Sequence, residues 1–274
     1  MLYDYHVHST YSDDAESSMS EMALAVAEAG LEGLCFTDHV DLDDINGVYN
    51  PDAWRSGEYF AAFEKARAAA EGKIALRLGV ELGEASHYPA IARAIAGEIP
   101  DFIIGSVHNL AATPDFYCGR AGGENPEMYA DKAACHALLE RYVAELEETA
   151  ALGCFDVIGH IGYPLRYMRT LYPDMSIEPW RERFAELFRT LARSGKGIEL
   201  NCSGLRQSLK ETMPASRLLA LYRDMGGEII TLGSDAHSTL HVGSGILVGK
   251  NLLQGLGFKN YCVYNKRNVE FITL

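Results

Sequence analysis

Seven short apolar runs, alternating with helix-like stretches, constrain this chain more than any other feature. They fall at residues 2–7, 33–37, 75–81, 102–107, 155–160, 197–202 and 228–233. Polar residues gather at their carboxyl ends. His6 and His8 close LYDY, His39 follows GLCFTD, Glu81 ends ALRLGV, and His108 follows DFIIGSV. His160 follows FDVIG, and Asp235 and His237 follow GGEIITLG. Parallel strands joined by right-handed helical crossovers carry such residues at the mouth of a β/α barrel. Seven strands in place of eight predict an irregular barrel.

Helical period fills the spaces between the runs. The first helix begins at Ser18, with Glu21 three residues on as a capping box, and stops at Gly30. Others are expected over 57–71, over 132–152 up to Gly153, over 178–194 up to Gly195, and over 214–225 before Gly226-Gly227. No repeat, low-complexity tract or linker divides the 274 residues, so one domain spanning 1–274 is expected. Residues 40–56, 109–130 and 161–177 are too long for minimal barrel loops and follow strand ends, which places them over the mouth; 109–130 and 161–177 read as lids or binding loops, and 40–56 equally as such a loop or as a surface excursion.

Composition excludes several classes. The six cysteines form no CxxC pair or dense framework and read as buried free thiols. The start MLYDYHVH has neither a basic nor an apolar leader segment, and no run approaches the ~18 apolar residues of a membrane span. A soluble cytoplasmic protein with no membrane partner is expected. The net charge of −14 opposes binding to a nucleic-acid backbone. Nothing in the pattern speaks to oligomeric state.

The histidines and carboxylates point to metal chemistry. His6 and His8 are two apart on a strand and share a face, and Asp235 and His237 repeat that spacing. An ionised Glu81 at a strand end is costly unless partnered, and two metals bridged by its carboxylate would partner it. Imidazole with carboxylate suits zinc, manganese or iron. Asp14, in the turn TYSDDAE, is a further candidate ligand, with Asp13 beside it. His87, His136 and His241 lack such context, and His136 reads as a helix-surface residue.

The motifs HVH, TDH at 37–39, Glu81, GSVH, GH at 159–160 and SDAH together resemble those of the polymerase-and-histidinol-phosphatase (PHP) superfamily. DYHVHSTYSDDAESSMSEM, FTDHVDLD and ELNCSGLR resemble its histidinol-phosphate phosphatase branch. The resemblance spans residue 4 to about 258. It implies a distorted seven-stranded (β/α)7 TIM-like barrel with three divalent metals at its C-terminal mouth. By motif, one metal takes His6, His8, Glu81 and Asp235; the second takes Glu81, His108 and His160; the third takes Asp14, His39 and His237. Asp14 stands where relatives often carry histidine, which hardens that site toward manganese or iron. Asp38 is expected to orient a ligand histidine.

The implied activity is hydrolysis of L-histidinol phosphate in histidine biosynthesis, by water activated at the metals, with Glu81, Asp235 and His237 as catalytic residues. The leaving alcohol would be protonated by Asp235, His237 or water. Arg166 and Arg206 are the candidate phosphate clamp, matching the arginines of the branch pattern, with Arg169 and Arg120 behind them. Three divalent ions bring about +6 against −3 from Asp14, Glu81 and Asp235, leaving roughly +3 for a small phosphorylated substrate. Relatives often have Ile/Leu-Asp after the GH motif, and here Ile161-Gly162 follows His160, which bears on recognition of the substrate amine.

Four alternatives compete. One is a phosphoesterase of the same superfamily acting on another small phosphate ester or a nucleotide. An amidohydrolase barrel would carry a bridging lysine where this chain has Glu81. A regulatory metal domain would be closed and cysteine-rich. A proofreading exonuclease conflicts with the acidic charge balance.

Overall fold

The computed structural model describes residues 1–274. Eight strands form one sheet: β1 (Tyr3–Val7), β2 (Gly33–Phe36), β3 (His39–Asp41), β4 (Ala75–Gly83), β5 (Phe102–Ser106), β6 (Val157–Ile158), β7 (Gly197–Asn201) and β8 (Ile230–Gly233). β2 and β3 pair with successive halves of β4, so they are one barrel strand interrupted at Thr37-Asp38. The result is a nearly closed barrel of seven parallel strands, with every seam between β1 and β8 parallel.

The last seam is made differently. β8 meets β1 through a single parallel bridge, Val7 to Ala236, beyond the end of the strand. Below it the Asp4 carboxylate takes the place of a ladder, accepting from the Ser234 and Gly243 amides at 2.8 Å each. Gly233 allows this approach, since a Cβ there would run into the His6 Cβ and the Glu199 carboxylate. The distortion is therefore concentrated where His6, His8 and Asp235 converge.

Nine helices cover the barrel: α1 (Met19–Glu28), α2 (Ser56–Ala69), α3 (Pro89–Glu98), α4 (Lys132–Leu152), α5 (Leu165–Leu171), α6 (Arg181–Arg193), α7 (Ser203–Arg206), α8 (Ser216–Asp224) and α9 (Ile246–Gly255). Local chemistry explains the best-defined ends. Ser18 and Glu21 form the reciprocal capping box on α1. Asp131 caps α4 through the Ala134 amide, and Gly153 ends that helix in the left-handed region at φ 69°. α6 buries Phe184, Leu187, Phe188 and Leu191 on one face and leaves its charged residues outside. No helix is long and apolar enough to cross a membrane. The cysteines are all free thiols, five of them buried.

The expected strands and helices are present within a few residues of their bounds, but five elements were not anticipated. Four are the helices α3, α5, α7 and α9, and α5 lies inside the stretch 161–177 read as a loop. The fifth is a C-terminal antiparallel hairpin, β9 (Asn260–Asn265) and β10 (Asn268–Thr273). Its two-residue turn, Lys266-Arg267, has φ of 51° and 62°, a geometry usually signalled by Asn-Gly. The hairpin sits under the amino-terminal end of the barrel, where Tyr264 packs 5.0 Å from the Phe102 ring and its carbonyl accepts from the Tyr5 hydroxyl at 2.7 Å. That end is thereby sealed, and the opposite end carries the polar cluster.

Candidate metal centre and active-site cavity

Glu81, buried on β4, is the centre of the cluster. Its Oε1 lies 2.6 Å from His160 Nε2 and 3.2 Å from His108 Nε2, and accepts from the Ser106 hydroxyl at 2.7 Å. Its Oε2 lies 3.2 Å from His6 Nε2, 3.6 Å from His8 Nε2 and 3.1 Å from His39 Nδ1. One carboxylate thus divides two groups of imidazoles, the arrangement a bridging ligand requires. Asp235 joins the His6 side, with Oδ1 3.5 Å from His8 Nε2 and 3.9 Å from His6 Nε2.

A third group lies outward. Asp14 places Oδ2 3.2 Å from His237 Nε2 and Oδ1 3.8 Å from His39 Nε2. Asp14 is exposed, as is Asp13, but only Asp14 points into the histidines. All nine residues expected to bind metal therefore lie together at the mouth, although distance alone does not divide them into three sets: His39 approaches Glu81 at 3.1 Å more closely than it approaches Asp14 at 3.8 Å.

The donor set fits divalent cations. His8 Nε2 and His39 Nδ1 are buried without a hydrogen-bond partner. The His39 atom is close to Glu81 Oε2 but misaligned for a hydrogen bond. His108 Nε2 and His160 Nε2 face each other at 3.2 Å, which suits a shared cation better than two ring nitrogens competing for one proton. Burial opposes charge throughout, yet His6 and His108 are driven well above the ordinary imidazole range by the carboxylates around them. Glu81 is held well below the carboxylate range by His6, His108 and His160 despite its burial. The cluster demands positive charge, and bound metals supply it with fewer protons.

Outer residues set which ring nitrogen faces inward. Glu199 on β7 lies 2.6 Å from His6 Nδ1, and its other oxygen accepts from the His160 amide at 2.8 Å. Asp41 on β3 lies 3.1 Å from His108 Nδ1. Each pairing places the proton on Nδ1 and turns the Nε2 lone pair toward the site. Neither carboxylate was singled out from the sequence. Glu199 had a usable signal, a lone acid in the apolar run GIELN, whereas Asp41 is lost among the acids of 40–56.

The expectation for Asp38 is corrected: it touches no ligand histidine. It accepts from the Ser9 amide at 2.5 Å and from the Ser9 and Ser12 hydroxyls at 3.0 Å. Ser12 Oγ in turn meets His8 Nδ1 at 3.0 Å and accepts from the His39 amide at 3.0 Å. Asp38 therefore acts on His8 one residue removed, by holding the serine.

Asp235 adopts φ 56°, a left-handed conformation that a non-glycine residue holds only when its surroundings enforce it. Arg206 is part of that enforcement, with its two terminal nitrogens donating to the Ser234 and Asp235 carbonyls at 2.6 Å each. His237 Nδ1 also meets the Asp235 carbonyl, at 3.1 Å, which leaves Nε2 facing Asp14.

The cluster forms the floor of a cavity of about 880 Å³ lined also by Arg166, Arg206, Tyr163, Tyr167 and Asp115. The two expected phosphate-binding arginines differ. Arg206 is anchored to backbone, whereas the half-buried Arg166 guanidinium lies over the Tyr163 and Tyr167 rings, 6.0 and 5.3 Å from their centroids, with no anionic partner. Arg169 pairs with Glu211 and the Met175 carbonyl, Arg120 packs on Tyr117, and neither lines the cavity. His136 packs on Trp180 at the surface, as expected. His87 is held between Asp43 and Glu145, and His241 reaches the cavity wall. The expected balance of roughly +3 counted only the ligand carboxylates, and it is lowered by Asp41, Asp43, Asp44 and Asp115, which line the same cavity.

A barrel with this mouth is that of a PHP metallohydrolase, and the PHP domain family model matches residues 4–203: the chain belongs to that family. Among curated proteins it is similar to the histidinol-phosphatase of Lactococcus lactis, at 28% identity over 97% of this chain and 96% of that one. It is also similar to a protein named probable histidinol-phosphatase from Deinococcus radiodurans, at 29% identity over 88% of each. Among solved structures it is similar to the Lactococcus lactis histidinol phosphate phosphatase in complex with zinc, L-histidinol and phosphate. The TM-score is 0.81 at 24% identity, over 98% of both chains.

Proposed function

We propose that this chain is a metal-dependent phosphomonoesterase that hydrolyses L-histidinol phosphate to L-histidinol and phosphate. The observation that carries the reading is the opening of the Glu81-centred cluster onto the same cavity as the unpaired guanidinium of Arg166. The full-length likeness to proteins named histidinol-phosphatase supports the substrate.

Three divalent ions of zinc, manganese or iron would be held by His6, His8, Glu81 and Asp235; by Glu81, His108 and His160; and by Asp14, His39 and His237. When bound, they supply charge stabilisation for phosphoryl oxygens and lower the pKa of water toward neutrality. Glu81 orients two groups of ligands with one rigid carboxylate, while Glu199 and Asp41 keep Nδ1 of His6 and His108 protonated. Arg166 pairs with phosphate oxygens, whose charge grows as the ester bond breaks. Arg206 holds the Asp235 turn and lends its charge to the same wall. The leaving oxygen takes its proton from Asp235, His237 or water, the groups at that edge of the cluster.

The test is phosphate release from L-histidinol phosphate, p-nitrophenyl phosphate and a nucleoside monophosphate, with zinc, manganese or iron restored after chelation. A strong preference for histidinol phosphate is expected. Equal turnover of the aryl ester would move the activity to another small phosphate ester.

A further inference from the structure

Most carboxylates lining the cavity already have partners. Asp14, Glu81 and Asp235 belong to the histidine cluster. Asp41 faces His108, and Asp43 is held by His87 at 2.7 Å and by the Tyr88 hydroxyl at 2.6 Å. Asp44 accepts on Oδ1 from the turn amides of Asn46 and Val48 at 2.8 and 3.0 Å and leaves Oδ2 open, and the exposed Asp13 and Asp52 have no side-chain partner. Asp115 is set apart by its place. Its Oδ1 accepts from the Tyr117 amide at 2.6 Å and from the Tyr163 hydroxyl at 3.2 Å, while its Oδ2 accepts from nothing.

Asp115 is also tied to the phosphate side of the cavity. The Tyr167 hydroxyl donates to the Tyr163 hydroxyl at 3.1 Å, and that hydroxyl donates to Asp115. The same two rings carry the Arg166 guanidinium. One rigid aromatic pair therefore fixes a cation and an anion on a single wall, with no ion pair between them. A half-buried carboxylate with an open oxygen is stabilised by an incoming cation.

We propose that Asp115 is the specificity-determining residue for a positively charged amine beside the phosphate, so that the site selects 2-aminoalkyl phosphates. The inference rests on the phosphomonoesterase reading above, in which Arg166 takes the phosphate. The Asp115 Oδ2 then accepts from the ammonium on the carbon next to the ester carbon, and Tyr163 keeps the carboxylate turned toward it. Phosphate esters without the amine lose this contact and keep every other.

The experiment compares two matched pairs of esters. One is L-histidinol phosphate against 3-(imidazol-4-yl)propyl phosphate; the other is 2-aminoethyl phosphate against ethyl phosphate. The wild-type protein is expected to favour the amino ester in each pair by roughly 10- to 100-fold in kcat/KM, chiefly through KM. Asp115→Asn keeps an oxygen for the Tyr117 amide and should bring the ratio close to one, while Asp115→Glu should restore part of it. A ratio near one in the wild type, or a ratio unchanged in Asp115→Asn, overturns the proposal. Inhibition of the wild type alone by L-histidinol and by its deaminated counterpart gives the same reading without a variant: equal inhibition overturns it. Failure of the phosphomonoesterase reading is distinct, because no ester of either pair would then be cleaved.

Discussion

Glu199 Oε1 lies 2.6 Å from Nδ1 of His6, on the side of the imidazole turned away from Glu81. The same carboxylate accepts from the His160 amide, and Asn201 Nδ2 spans from it to Asp235 Oδ2 at 3.4 Å. One residue that does not line the cavity thus adjusts three strands of the site.

Glu199→Gln should weaken metal binding by roughly 10- to 100-fold. The amide can still accept from His6, but its nitrogen then faces the His160 N–H, donor against donor. Competition with a chelator measures the affinity, and the melting temperature of the metal-free protein separates this from general unfolding. Unchanged affinity would return Glu199 to an ordinary core hydrogen bond.

Glu81→Ala removes the oxygen donors from two ligand groups at once. Activity should fall on the order of 10³-fold or more, about 4 kcal/mol. Metal analysis should show loss from both groups it joins, whereas loss of a single ion would argue against bridging.

The two arginines should separate kinetically. Arg166→Ala removes a cation with no anionic partner in the protein and should raise KM about 10- to 100-fold. Arg206→Ala frees the Ser234 and Asp235 carbonyls that hold the left-handed Asp235, so kcat and metal retention should fall together. Identical profiles for the two variants would refute this division.

His87 predicts a pH dependence of stability away from the metals. Burial opposes its charge, but Glu145 and Asp43 raise its pKa to about 9. In the unfolded chain it titrates near 6.5. Folding therefore takes up a proton between these values. The stabilisation is complete below about pH 6.5 and is lost as pH rises through about 9. Melting temperature should decline over that interval more in the wild type than in His87→Asn. Parallel declines would assign the effect to other groups.

Much of the fold was legible because its signals are local. The seven strand runs and the caps at Ser18 and Gly153 depend on residues close in the chain. The hairpin was missed because its Lys266-Arg267 turn lacks the usual residues, α5 and α7 because such short helices carry little periodicity, and α3 and α9 because no side-chain cap marks their starts.

The nine candidate ligands could be named from sequence because a parallel barrel sends every strand end to one mouth, so residues far apart in the chain share a destination once the alternation is recognised. By itself the sequence determined that destination and the kinds of donor collected there. Tertiary structure alone decided which nitrogen His6 and His108 turn inward, since that depends on Glu199 and Asp41 arriving from other segments. It also decided that Arg206 is anchored while Arg166 is free, and that Asp115 keeps an open oxygen. These are questions of which partner is already taken, and hydrogen-bond pairing between distant segments leaves no periodic trace in a chain.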